Sequence, residues 1–344
     1  MSEDKDKILT AVGFETSFGY KRVEVREGDI SKSALDYDLL VTSAISGGYN
    51  PVPGTLFHAL HHNLGIDMTE EHKNPYMDLT QSLSIWISRE LANSKFNRIL
   101  CAEITGAEIH IEEVFENVFA GISLMEAKGI KVESLAMPLL GTGHQGIPVE
   151  EVIPPLLEAC KKALDSNPSL DSITFLELHP DKARKVVETV NHHLGRKREP
   201  IPKGKVSESV RKEILEQVHS AKKQFSNTRL WKDMANTFSD ESLQPYEVGV
   251  LARRLLEVIV KDIVPGSGSR QTLNDRMRHL KSKGIAQWIT SYMHVLRILG
   301  NNIVHESLHK SNPEDLDASD LLICLFCINK ILHFWLEAKE SQGK

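Results

Sequence analysis

Strand-forming signals fill the first part of this chain and stop near residue 200. Up to about residue 195, short runs rich in apolar and β-branched residues ("YKRVEVREGD", "YDLLVTSAI", "NRILCAEI", "VESLAMPLL", "SITFLELH") alternate with helix-length ones. The latter are "PGTLFHALHHNLG", "LTQSLSIWISRELANS", "HIEEVFENVFAGISLMEAKG" and "PVEEVIPPLLEACKKALDS". Such alternation predicts an α/β sandwich with a largely parallel sheet. Beyond it only helical patterns follow, from "SESVRKEILEQVHSAKKQF" to "LLICLFCINKILHFWLEAK", which predict an all-α bundle. With 344 residues there is chain enough for two buried cores. The expected division is 1–195, a linker at 196–206, and 207–344. The linker holds Arg196, Lys197, Arg198, Lys203 and Lys205 with two prolines. It reads as a solvated connector or a tether for nucleic acid.

Composition narrows the function classes. The chain is 41% hydrophobic and 26% charged, with a formal net charge of -6. That balance suits a soluble globular protein and argues against one that coats nucleic acid nonspecifically, while a local basic patch stays open. No uninterrupted apolar run approaches about 18 residues, and the start "MSEDKDKILT" carries acids where a secretory signal has cations. The expectation is a cytoplasmic protein with no membrane partner. Cys101, Cys160, Cys324 and Cys327 do not form a disulfide framework. The Cys324-x-x-Cys327 pair lies in an apolar helical run with no second ligand pair, which favours buried thiols over zinc.

The stretch "MPLLGTGHQGIP" matches G-x-G-x-x-G through Gly141, Gly143 and Gly146. A dinucleotide fingerprint belongs in the first strand-to-helix turn, with an acid about 20 residues on. Here the motif follows several strands, and Glu177 lies about 31 positions beyond Gly146. The remaining readings are a phosphate-cradling loop before a helix N-terminus, or a tight turn with no ligand. Earlier, "REGDISKSALDYDLLVTSAISGGYNPVPGTLFHAL" ends a strand in Gly28-Asp29-Ile30 and opens a helix with Gly54-Thr55-Leu56. By itself Asp29 reads equally as a turn or cap residue.

Together these motifs, over residues 20 to 195, resemble the macro domain. The resemblance implies a three-layer α/β/α fold with a mixed sheet that binds ADP-ribose or a related nucleotide as ligand, with no cofactor required. It implies that Asp29 accepts a hydrogen bond from the adenine amine, with Ile30 adding a backbone contact. Gly54, Thr55 and Leu56, with Gly141, Thr142, Gly143, His144, Gln145 and Gly146, would hold the diphosphate and distal ribose. His144 reads as a ligand contact or a solvent-facing loop residue. Many members carry V-N-A-A-N after the second strand, whereas this chain has Val41-Thr42-Ser43-Ala44-Ile45. An aliphatic group replaces the amide that hydrolytic members use, so binding is expected ahead of hydrolysis of ADP-ribose conjugates.

His58 and His62 sit at i and i+4 on a predicted helix, a spacing able to hold a metal, but no third ligand follows and no metal is expected. In "SYMHVLRILGNNIVHES", a helix at about 100° per residue gathers His294, Arg297, Asn301 and His305 within roughly 80°. That face is either solvated or a site for phosphate and acid–base chemistry on RNA. The string R-x-x-G-N-x-x-x-H, with "LARRLLEVIVKDIV" and "LNDRMRHLKSKG" before it, resembles HEPN-type helical domains. That resemblance implies a homodimer or higher homo-oligomer formed through the helical half. It also implies that Arg297, Asn301 and His305 serve as catalytic residues of a ribonuclease. The joined reading is a nucleotide sensor that regulates an RNA-cleaving or RNA-binding dimer, plausible in anti-phage defence. The alternatives are an ADP-ribose-conjugate hydrolase and a non-catalytic binding and oligomerisation module.

Overall fold

The chain divides into two compact units, residues 1–9 with 21–193 and residues 10–20 with 194–344. The computed structural model describes residues 6–33, 35–92, 95–104, 110–143, 145–196, 205–224, 228–240, 243, 245–265, 272–304 and 318–342. Most of the 196–206 segment lies outside them.

The first unit is built on an eight-stranded sheet, apart from residues 10–16 of its first strand, which are grouped with the second unit. In chain order its strands are β1 (Lys7–Thr16), β2 (Gly19–Glu27), β3 (Tyr37–Ala44), β4 (Met77–Leu79), β5 (Ile85–Ile87), β6 (Phe96–Glu103), β7 (Ser134–Met137) and β8 (Ser172–Glu177). The spatial order is β1-β2-β8-β7-β3-β6-β5-β4. Strands β2, β8, β7, β3 and β6 run parallel, while β5 and β4 add an antiparallel edge. Parallel strands need both faces covered. On one face Leu40, Ile99, Cys101 and Ala136 pack under Phe57 and Leu60 of α1 (Leu56–Leu64). On the other, α4 (Ile111–Ala127) comes so close at Gly121 that a Cβ there would collide with Ile85 Cδ1 and lie 3.1 Å from Leu100 Cδ1. Helix α5 (Val149–Ser166) packs against α4, and α6 (Pro180–His193) against α5. The result is an α/β/α sandwich with a mixed sheet. Buried Lys21 closes one helix end, its Nζ donating to the C-cap carbonyl of Asn167 at 2.5 Å, where a cation meets the negative end of α5.

One expected helix is not formed. "LTQSLSIWISRELANS" folds as the β4–β5 hairpin around a single turn, α3 (Thr80–Leu83), with Ser84 in the left-handed region at φ 52. Ile85, Trp86 and Ile87 are all fully buried, which a strand sandwiched between two layers allows and a one-sided amphipathic helix does not. A short helix, α2 (Met68–Lys73), precedes this hairpin.

The second unit is helical apart from the hairpin end 10–20: α7 (Lys205–Gln224), α8 (Thr228–Ser239), α9 (Pro245–Ile263), α10 (Leu273–Arg278), α11 (Gln287–Val304) and α12 (Ala318–Gln342). Helix α9 packs on α11 and α12, and α7 on α8 and α12. Trp231 stacks on Trp335 at 5.6 Å, and Arg254 pairs with Asp233 at 2.5 Å, both side chains almost fully buried. Within this unit Arg253, 2% exposed, lies 4.5 Å over the Tyr20 ring and bonds Glu15 at 3.0 Å. In α12, Ser319–Ser341 is long and apolar enough to cross a membrane by length and mean hydropathy (1.7), yet Cys324, Ile328, Ile331 and Trp335 are buried in the bundle.

Candidate functional site

In an open parallel sheet, ligand crevices form beyond the carboxyl ends of the strands where successive connections leave in opposite directions. After β3 the chain proceeds toward β4, β5 and β6; after β7 it turns to β8 on the other side. β3 and β7 are neighbours, in register at Leu39↔Leu135 and Leu40↔Ala136. Their outgoing loops, residues 45–55 and 138–148, therefore flank the switch point about 4.8 Å apart at their roots. The loop after β2, which carries Asp29, leaves the same sheet edge three strand intervals from β3, about 14 Å.

The 138–148 loop turns on Gly141, whose φ of +82 and close neighbours, Ile111 Cδ1 at 2.9 Å and Ile147 Cδ1 at 3.0 Å from a notional Cβ, admit only glycine. Thr142 Oγ1 donates to Leu139 O at 2.7 Å, Gly146 N to Gly143 O at 3.1 Å and Ile147 N to Gly141 O at 3.0 Å. Gly143 has open space around it, and Gln145 is partly exposed. His144 lies outside the described residues. The helix that follows offers less positive potential than the sequence suggests. α5 starts at Val149 behind Pro148, with Glu150 and Glu151 in its first turn. Glu150's own backbone N–H and Lys185 hold its carboxyl below the usual range, so a fixed carboxylate sits at that helix end.

The opposite loop ends at a better anion site. Gly54, at φ +85, leads into Thr55, which caps α1 by accepting from His58 N at 3.3 Å and donating to Val52 O at 2.6 Å. No acid occupies the first turn of α1, so the positive end of its dipole faces the switch point uncompensated. Leu56 is half-buried. Ile45 and Val52 on this loop are 55% and 56% exposed.

Asp29 is held in a local turn. Its Oδ1 accepts from Ser31 N at 3.0 Å and Ser31 Oγ at 2.6 Å, while Oδ2 lies 3.6 Å from Lys32 Nζ. Asn63 Nδ2 of α1 donates to Ser31 Oγ at 2.8 Å, which ties the Asp29 loop to the helix behind the switch point. Ile30 is buried among Leu40 and Phe57, so its side chain anchors the loop.

Sequence reasoning missed a cluster at the base of the 45–55 loop. Tyr49 is buried, stacks on His72 at 4.2 Å and meets Trp86 edge-on at 5.8 Å. Its hydroxyl donates to Glu103 Oε1, and His72 Nε2 lies 3.8 Å from the same oxygen. Burial, then Glu103, pushes the Tyr49 hydroxyl pKa well up, so it stays a donor. The only signal in the sequence was an aromatic residue inside a Gly-Pro loop.

His58 and His62 stack on α1 with ring centroids 6.0 Å apart, and no group of three metal-ligating side chains exists among the described residues. In α11, Arg297 and His294 are half-buried; burial, then the Arg297 charge, lowers the His294 pKa. The Asn301 side chain and His305 lie outside the described residues. Gly300 in the same string serves packing, because a Cβ there would lie 3.3 Å from Gly249 O of α9.

No family model and no curated protein matches this sequence. Among solved structures, the Oceanobacillus iheyensis macrodomain with MES bound is similar over 53% of this chain and 96% of its own, at 16% identity and a TM-score of 0.41. The same macrodomain with ADP covers 53% and 95%, at 16% identity and 0.41. A Trypanosoma brucei macrodomain in complex with ADP-ribose covers 49% and 68%, at 16% identity and 0.39. What the chain itself shows is an α/β/α sandwich whose parallel strands deliver two glycine turns, an uncompensated helix N-terminus and Asp29 to one sheet edge.

Proposed function

We propose that the N-terminal unit binds an ADP-ribose-type nucleotide across the carboxyl ends of β2, β8, β7 and β3. The observation that carries this reading is the pairing of two glycine turns at the switch point with the α1 dipole, which no acid in the first turn offsets. The diphosphate rests on the N-terminus of α1, at Gly54 to Leu56, with Gly141 to Gly146 opposite. Asp29 Oδ2, 3.6 Å from Lys32 Nζ, is the oxygen that accepts from an exocyclic amine, its partner Oδ1 being committed to Ser31. Exposed Ile45, where an amide would orient the distal ribose for hydrolysis, makes this a binding site rather than a hydrolase.

Calorimetric titration of the full chain with ADP-ribose and its linear and cyclic relatives tests the reading. Binding that Asp29→Asn weakens, with the fold intact by circular dichroism, is the expected result. Absence of binding across the panel overturns it.

A second reading rests on Arg297 standing beside His294 on α11, a cation next to a neutral imidazole suited to phosphate and proton transfer. It makes the helical unit an RNA-directed effector that answers to the nucleotide, as in defence systems, provided the ligand prefers one of its states. RNA cleavage measured with and without ADP-ribose, and lost in Arg297→Ala, is the outcome it requires.

A further inference from the structure

Asp29 stands at the end of a chain of three side chains. Its Oδ1 lies 2.6 Å from Ser31 Oγ, and Ser31 Oγ lies 2.8 Å from Asn63 Nδ2 on the last turn of α1. The direction of each proton is forced. A carboxylate only accepts, so the hydrogen between Asp29 and Ser31 is the hydroxyl's own. That hydroxyl has a single hydrogen, so towards Asn63 it can only accept, and Asn63 must present its amide NH2. The Ser31 backbone N–H adds a second donor to Oδ1 at 3.0 Å. Oδ1 is thereby filled, and Oδ2 is the acceptor that meets a ligand. Lys32 Nζ stands 3.6 Å from Oδ2, longer than a hydrogen bond, and its side chain is 50% exposed, so an incoming amine can take that oxygen. Ser31 itself is 1% exposed, which shields the middle of the chain from water.

Resting on the nucleotide reading above, we propose that Asn63 is a positioning residue through which the site selects an amino-bearing nucleobase over an oxo-bearing one. It never touches the base. By donating to Ser31 it turns the hydroxyl towards Asp29, which holds Asp29 as an acceptor with one oxygen presented. Adenine offers that oxygen an amine donor, whereas hypoxanthine, like guanine, has a carbonyl acceptor at the same ring position. Two acceptors would then face each other with no hydrogen between them, a mismatch worth about 5- to 150-fold in affinity. Helix α1 also fixes the distance. Its N-terminus carries Gly54 to Leu56 at the switch point, and Asn63 stands eight positions beyond Thr55, about 12 Å along the axis. The loops after β2 and β3 leave the sheet about 14 Å apart. One rigid helix thus registers the base-reading carboxylate against the proposed diphosphate cradle.

Calorimetric titration of the full chain with ADP-ribose and with its hypoxanthine counterpart tests it. The readout is the ratio of the two affinities, because a change in diphosphate binding or in folding moves both alike. The expected wild-type preference for adenine is at least about tenfold. Asn63→Asp sets an acceptor where the donor stood, competes for the Ser31 hydrogen and brings the preference to within about threefold. Asn63→Ala, which removes the donor without adding charge, moves the ratio the same way. Ser31→Ala breaks the chain in its middle, and in that background Asn63→Asp changes the ratio no further. Asn63 is exposed, so helical content by circular dichroism is expected to stay constant. A ratio unmoved by Asn63→Asp overturns the proposal. So does an Asn63→Asp effect that persists in full beside Ser31→Ala, which marks the new charge acting directly. Binding of both ligands without preference in the wild type overturns this inference alone, whereas binding of neither overturns the nucleotide reading and this inference with it.

Discussion

The hydroxyl of Tyr49 donates to the carboxylate of Glu103, fastening the loop after β3 to the end of β6. Strands β3 and β6 are in register at Ala44↔Glu103, so the bond clamps the loop five residues beyond the strand it leaves. Tyr49→Phe keeps the ring stack and removes the donor. We expect a loss of about 1–3 kcal/mol in urea unfolding, the usual cost of leaving a mostly buried acceptor unmade. Nucleotide affinity should fall with it, because Gly54 to Leu56 lie on the same loop.

Gly141 and Gly143 should separate turn from ligand site. Gly141→Ala meets both a positive φ and two isoleucine methyls, and should cost about 1–2 kcal/mol of stability whatever binds. Gly143→Ala meets open space and no positive φ, so its unfolding midpoint should match the wild type. If a phosphate approaches that backbone, ADP-ribose should bind at least about tenfold more weakly in calorimetry. An unchanged affinity would mean that the ligand keeps away from Gly143.

The thiols should be silent until the chain unfolds. Burial pushes Cys324 up to about 12 and Cys327 up to about 11, and lifts Cys101 and Cys160 well above the ordinary value. At pH 8 a disulfide reagent should label none of the four in the native protein and all four in denaturant. A raised thiol pKa favours the protonated fold, so its contribution is fully present below the unfolded value of about 8.5 and is lost as pH climbs toward 11 and 12. Stability of the helical unit should therefore decline above pH 9.

Asp233→Ala should be severe. Its carboxylate is 1% exposed and bonds Arg254, 6% exposed, so removal takes that carboxylate from a guanidinium buried in the bundle. A loss of about 1–3 kcal/mol is expected in thermal unfolding, against near-neutrality for exposed pairs such as Arg184 with Asp181.

Much of this architecture was legible in the chain. Strands β2, β3, β6, β7 and β8 and helices α1, α4, α5 and α9 each showed their own period or caps, and Gly54-Thr55 announced the start of α1. The β4–β5 hairpin was not legible, because residues 77–87 carry apolar side chains at both helical and strand spacings and only the flanking layers decide between them. The cluster of Tyr49, His72, Trp86 and Glu103 was hidden for a related reason: its members are up to 54 positions apart and meet only once β3 and β6 pair. Helix α11 was readable as a periodic segment, but which of its sides faces inward is set by α9, through the close approach at Gly300.

The pairing of Glu15 with Arg253 spans 238 positions of chain. The hairpin end 10–20 belongs to the helical unit, so that unit is assembled from two segments, 10–20 and 194–344, separated in the chain by the sandwich. During synthesis the hairpin leaves the ribosome early, while its guanidinium partner emerges only after the whole sandwich has been made. Closing so long a loop is slow relative to local helix formation. Completion of the helical unit is thereby postponed until the parallel sheet has had time to form, and the order of maturation is written into where one arginine stands.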